Sequence, residues 1–223
     1  MDIVETFFNI EVLRRTWPLL MQGLWVTIKL GAASIVVGLV LGLGLALVRI
    51  YAAAPLRWIA RIYIDVFRSI PLLVLLIIVY YALPFVGIRL SGFFSALAAL
   101  SLVSAAYTAE VFRAGIEAIP KGQFEASGAL GLSYRHMMID VILPQAIKIV
   151  IPPLTNNSIN VIKDTALASV VAIPDLLKQA TQAQALAANP SPLIGAAIIY
   201  IAFLWPLVAY VSRLERRFGG GGR

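Results

Sequence analysis

At 223 residues, with 61% hydrophobic and only 13% charged side chains, the chain carries more apolar surface than a water-soluble fold of this size can hide, since soluble domains run at about 45–50% apolar. Its net charge of +7 does not mark a nucleic-acid binder, because the basic residues stand singly or in twos and threes at the ends of apolar runs, where they act as topology signals rather than phosphate contacts. The lack of cysteine and the single histidine, His136, exclude disulfides, thiol catalysis, cysteine-based metal sites and any multi-histidine site.

The opening MDIVETFFNIEVLRR places Asp2, Glu5 and Glu11 ahead of any basic residue. It therefore lacks the positive n-region of a cleaved signal peptide and is expected to stay in the mature protein. Residues 1–19 read as a periplasmic N-terminal segment, and 20–212 as a single transmembrane domain of about five helices, each needing roughly 20 mainly apolar residues. The first span, 20–48, is longer than a bilayer requires and so tilts or projects. Within it, Gly38 and Gly42 stand four apart, a spacing that permits close helix approach. Further spans are expected at 62–83, 93–111, 137–162 and 193–211, the fourth broken at Pro152 and Pro153. Between the last two lies 163–189, helical in spacing but too mixed to sit in lipid. Residues 213–223 form a tail whose low-complexity GGGGR end is expected to be flexible.

Orientation follows from the positions of Lys and Arg. Arg49, Arg57, Arg61, Arg113, Lys121, Arg135, Arg213, Arg216, Arg217 and Arg223 gather on one side; Arg14, Arg15, Arg89, Lys163 and Lys178 lie on the other. The richer side is cytoplasmic, which puts the amino terminus outside and the carboxyl terminus inside.

The segment 119–136, IPKGQFEASGALGLSYRH, then faces the cytoplasm. Pro120 and Gly122 start a short helix and Gly131 ends it with positive φ. Phe124, Ala129, Leu130, Leu132 and Tyr134 give it an irregular apolar surface that a partner protein is expected to bury. EASGALG followed by VILP resembles the cytoplasmic Glu-Ala-Ala signature of ABC-importer permeases, carried here by Glu125, Ala126, Ser127, Gly131, Val141, Leu143 and Pro144. Ser127 stands for the family's third alanine and Val141 for its isoleucine. FRSIPLL, YTAEVFRAGIEAIPKGQ and LPQAIKIVIPPLTNNSINVIKDTAL are similar to permeases of the polar amino-acid uptake family. The first departs from the family's Arg-Gly-Thr-Pro, and if that turn shapes the translocation path, the bulkier Ile70 alters it.

The resemblance implies an all-α, type I ABC-importer permease of the bacterial inner membrane, its helix from Glu125 through Ala126 and Ser127 to Gly131 and Leu132 seated in a groove of an ATP-hydrolysing subunit. It implies an ATPase dimer that binds ATP and Mg, a second or paralogous permease, and a periplasmic or lipid-anchored amino-acid-binding protein. Small Ala126 and Gly131 allow close packing there, and Glu125 suits a charge-assisted hydrogen bond to a basic partner. Taken alone, Glu125 reads as a surface cap. The chain itself has no G-x-x-x-x-G-K-[ST] phosphate loop, so it is not expected to be an enzyme or to carry a cofactor.

Ionisable residues within spans are costly and face a partner or a watery cavity. Asp65, Arg68, Arg113 and Asp140 fall near the expected cytoplasmic boundary, where snorkelling or local pairing accounts for them. Glu110 lies deeper and suits a structural pair as well as a path lining. In the fourth span, Asn156, Asn160 and Lys163 follow one another at helical spacing, with Asn157 and Asp164 on a neighbouring face. Such a stripe suits a zwitterionic amino acid: Lys163 for the carboxylate, Asp164 for the ammonium, the amides for a neutral polar side chain. The alternatives are amides that bond neighbouring helices and charges that mark the outer interface. A secondary, ion-coupled transporter is the competing function, but such folds show paired inverted repeats, and one broken span among five does not divide that way.

Overall fold

The computed structural model describes residues 3–219; the last residues of the expected tail, 220–223, and Met1 and Asp2 lie outside them. After a short α1 (Ile3–Phe7), α2 runs unbroken from Ile10 to Tyr51. It begins ahead of the expected span because Asn9 caps it, its side-chain oxygen accepting from the Val12 N–H at 3.1 Å. The polar Glu11 and Arg15 sit exposed on the helix and pair one turn apart at 2.6 Å.

One face of α2 is built from small residues and forms the main seam of the molecule, against α5 (Gly92–Glu117). A Cβ on Gly38 would stand 2.5 Å from the Ser104 hydroxyl, and one on Gly42 would stand 2.6 Å from the Thr108 Cβ. The pair expected to permit close approach does so within this chain. Without a hydrophobic force between helices in lipid, this backbone proximity is what gains dispersion energy.

The expected second span is not one helix. α3 (Ala54–Ser69) and α4 (Leu72–Ile77) meet at 102°. Pro71 has no N–H and forces Ile70 out of the helical region, to φ −78° and ψ 130°. From α4 the chain continues through a π-helical turn, Ile78–Ala82, and a 3-10 turn, Leu83–Val86, to Gly87 at φ 86°. Leu30, Leu76, Leu100 and Val171 pack where this arm meets α2 and α5.

Beyond α5 come α6 (Lys121–Ala129) and α7 (Tyr134–His136), then a π-helical turn over Met137–Ile142 that leads into α8 (Leu143–Asp164). The expected break in this span does not occur: Pro152 and Pro153 lie inside a continuous α8. The chain's broken span is the one at Pro71. The Thr155 and Ser158 hydroxyls donate to the Ile151 and Leu154 carbonyls, while the two missing proline N–H groups leave the Lys148 and Ile149 carbonyls without their helical donors.

A 3-10 turn, Thr165–Val171, leads to α9 (Leu176–Ala187), followed by α10 (Ser191–Gly219). The mixed segment between the last spans is thus a half-buried helix: Leu176, Ala180 and Ala183 are sealed against the bundle, and the Leu176 N–H donates to the Thr27 hydroxyl at 3.1 Å. α10 is helical well into the expected tail. Among the described residues four helices are long and apolar enough to cross a membrane, or five with the bent pair counted as one span, so the all-α expectation of about five spans holds.

Candidate functional site

Three features gather the polar residues. The first is an ion-pair clamp. Glu110 in α5 accepts from Arg49 at the end of α2 at 2.6 Å, and Arg113 donates to both Glu110 and Glu117. All four groups close on one another, and Arg49, Glu110 and Arg113 each keep only 17–24% of their side-chain surface. Glu110 does not line the cavity described next; its bond to Arg49 ties α5 to α2, and Arg113 braces it from within α5.

The second is a cavity of about 300 Å³ walled by α4, α5 and α8. Its polar wall is Asn157, Asn160, Lys163 and Asp164, faced by Ser104 and Tyr107, and its apolar wall includes Leu72, Leu100 and Val161. Two tight contacts shape it. The small residues of α5 admit α2 on one side, and on the other the Asn157 amide donates to the Ser104 and Thr108 hydroxyls at 3.4 and 3.3 Å. Asn160 and Lys163 stay exposed and Asp164 is half-buried. Asn156, one step round the helix, is exposed but does not line the cavity. Four of the five residues of the expected stripe therefore share one concavity, with an ammonium and a carboxylate side by side and amides beneath them.

Ser104, Tyr107 and Thr108 are additions from α5. Their signal was present as hydroxyl-bearing residues at helical spacing in the third span, hidden among alanines that read only as small. Arg68 gains a partner that the sequence did not suggest. The chain bends at Pro71, and just before the bend the Arg68 guanidinium lies over the Tyr107 ring, 5.5 Å from its centroid.

The third feature is α6. Pro120 precedes it and Gly131, at φ 73°, turns the chain away beyond it. Phe124 packs inward on the cluster of Ile119, Met138 and Ile142, and Ser127 is 3% exposed, its hydroxyl donating back to the Gln123 carbonyl at 2.7 Å. The other side is bare. Glu125, Ala126 and Gly128 are exposed, Leu130 is 80% exposed and Leu132 37%. Among the expected docking residues, Ser127 thus faces the bundle, while Glu125, Ala126, Gly131 and Leu132 stand on the outward side. Of the ionisable groups outside the spans, Asp175 is fully buried at the start of α9; its carboxylate caps the helix by accepting from the Lys178 N–H at 3.0 Å, and burial pushes it up to about 6.

Residues 12–220 match the family described as binding-protein-dependent transport system inner membrane component. The arginine transport system permease protein ArtQ of Bacillus subtilis is 42% identical over 202 residues, covering 90% of this chain and 92% of that one. The L-cystine transport system permease protein TcyB of the same organism is 41% identical over 205 residues, 90% of this chain and 87% of its own. A crystal structure of an amino acid ABC transporter with histidines superimposes with a TM-score of 0.87 at 36% identity, over 92% of this chain and 96% of that one.

Proposed function

The chain belongs to the binding-protein-dependent transport system inner membrane components and is an amino-acid ABC transporter permease, and from that premise we propose which of its surfaces holds substrate, which meets the ATPase, and which way round it sits. As a permease it is a non-catalytic, multi-pass inner-membrane subunit. The ATP and Mg of the cycle are bound by a separate ATPase dimer, and a second permease, this chain again or a paralogue, closes the pathway. A periplasmic or lipid-anchored binding protein delivers the amino acid at the outer end.

The observation that carries the coupling assignment is α6 itself: a helix fastened by Phe124, with Ser127 buried on the same side, whose opposite side leaves Glu125, Ala126, Leu130 and Leu132 bare. An exposed apolar patch ringed by polar residues marks a docking surface. Force applied there reaches α8 directly, since Phe124 packs on the turn that leads into it. The orientation that puts α6 in the cytoplasm follows the excess of Lys and Arg at that end of the bundle; the amino terminus is then outside, residues 1–19 begin on the periplasmic side and the tail from 213 is cytoplasmic.

Substrate occupies the cavity of Asn157, Asn160, Lys163 and Asp164, with Asn156 at its rim and Glu110 acting as a clamp rather than a contact. The volume, about 300 Å³, is at the small end of ligand pockets and suits a single amino acid. Relatives named for arginine and L-cystine transport support the class.

The test is uptake. The chain, reconstituted with its ATPase and binding protein, is expected to accumulate amino acid only with ATP. Uptake by the permease alone, driven by a proton or sodium gradient, would overturn the reading. Glu125→Lys is expected to abolish ATPase association while leaving the bundle folded; normal uptake by that variant removes the docking role.

A further inference from the structure

α3 presents three faces, each close to a third of its circumference at about 100° per residue. One is packed, with Ala60 and Ile64 buried. A second is apolar and exposed, formed by Ile59, Ile62 and Val66. The third carries Arg57, Arg61, Asp65 and Arg68 in a row, all of them exposed. The row climbs. At its lower end Arg57 and Arg61 join Arg49 and Arg113 around an open cavity of about 550 Å³. At its upper end Arg68 reaches Tyr107, which lies roughly 15 Å along α5 from Glu117 at 1.5 Å per residue. Tyr107 also lines the smaller cavity with Lys163 and Asn160.

The row runs along α3 from Arg57 to Arg68 rather than gathering at one end of it. Exposed charges on a helix whose neighbouring face is apolar need water or counter-charge; Asp65 stands one turn from both Arg61 and Arg68, the Arg68 charge reaches Glu110, and the Tyr107 ring beneath Arg68 lines the smaller cavity. We propose that this third face of α3 is a water-lined track along which the substrate's carboxylate leaves the cavity for the cytoplasm, handed from Lys163 to Arg68 and then to Arg61 and Arg57, with Asp65 keeping the row from holding an anion too firmly. Three arginines and one aspartate make a track for carboxylates and zwitterions and a barrier to bare cations. Tyr107 is the turnstile: it lines the cavity and holds the Arg68 guanidinium over its ring by cation–π attraction. This deepens the substrate-site assignment above and rests on it.

The chain has no cysteine, so single thiols report without background. In the assembled transporter in proteoliposomes, Arg61→Cys, Asp65→Cys and Arg68→Cys are expected to react with a water-soluble sulfonate methanethiosulfonate at least about tenfold faster than Ile59→Cys, Ile62→Cys and Val66→Cys, a gap of about 1.4 kcal/mol in barrier. At position 68 the anionic reagent should outpace its trimethylammonium counterpart. Equal rates on the two faces, or a cationic preference at 68, overturns the track. Labelling does not depend on uptake, so an inert charged face with intact ATP-driven transport sinks this inference alone, whereas gradient-driven uptake sinks the function. Independently, Arg68→Gln should lower maximal uptake about tenfold without changing the concentration of loaded binding protein at half-saturation, and Arg68→Lys should restore most of it; a variant whose two parameters fall together with its thermal stability assigns Arg68 to the scaffold and overturns the proposal.

Discussion

The two sets of charged groups within the spans are built oppositely. Around Glu110 every charge has a partner: Arg49 on one side, Arg113 on the other, Glu117 taking the remainder. Around Lys163 the polar groups open onto about 300 Å³ of space with only each other and Asn157 nearby. The lesson is that cost in the membrane sorts charges by completeness. A set that satisfies itself holds helices together, and a set left incomplete is poised for what passes through. If that distinction is right, substitutions in the two sets affect different observables.

The largest effect on stability is expected at the clamp. Glu110→Gln leaves Arg49 and Arg113 half-buried without their counter-charge. Removing one partner of a buried pair costs about 3–5 kcal/mol; because each of these groups keeps about a fifth of its surface, about 3 kcal/mol is expected, read as a lowered Tm in detergent. A variant as stable as the parent that fails to transport would move Glu110 into the path and erase the contrast.

Asp175 is next, a buried carboxyl outside the spanning helices and paired only through its cap. Its folded value, about 6 against an ordinary 3.8, is raised by burial despite the backbone hydrogen bonds and the Lys178 charge that favour ionisation. The unfolded chain therefore gives up this proton first as pH rises, so stability falls between about pH 4 and pH 6 and levels off above, by at most about 3 kcal/mol at 1.36 kcal/mol per unit. Asp175→Asn keeps a capping oxygen and removes the titration. Its Tm should match the parent's at pH 4 and exceed it at pH 7; parallel curves would show that the carboxyl stays ionised in the fold.

Lys163→Gln belongs to the open set and should do the reverse of Glu110→Gln. Tm is expected to stay within the equivalent of about 0.5 kcal/mol, as for exposed positions, while uptake falls about tenfold, the loss of one 1.4 kcal/mol contact to a carboxylate.

The sequence made some of this plain and hid the rest for identifiable reasons. Span count, the seam at Gly38 and Gly42, the start of α6 after Pro120 and its end at Gly131 were readable because apolar run length and special backbone positions are local facts. Pro152 and Pro153 misled, since a proline's lost donor ends a helix in water but is tolerated in a membrane helix packed among neighbours. Pro71 made the real break through an ordinary local effect on Ile70; a turn there was named in the sequence, but the apolar residues on both sides read through it as one span, and its angle was not legible. The polar stripe of α8 was legible as a set. Which members face the cavity was not, because Asn156 and Asn157 differ by one step of the helix and only the position of α5 chooses between them.

That choice gives the smallest and most discriminating prediction, since Asn157 belongs to both regions at once: it lines the open cavity and its amide bridges Ser104 and Thr108, which are 3% and 2% exposed. Asn157→Ala strands two buried hydroxyls that can still turn to their own helix carbonyls, so the loss is about 1 kcal/mol and appears in both Tm and uptake. Asn160→Ala, on the same cavity wall but exposed, has nothing to strand and should alter uptake alone. The pair separates a residue that shapes the site from one that only meets what enters it. Matching Tm losses for the two alanine variants would mean that α8 sits in another rotation and that the stripe, as read from α5, faces elsewhere.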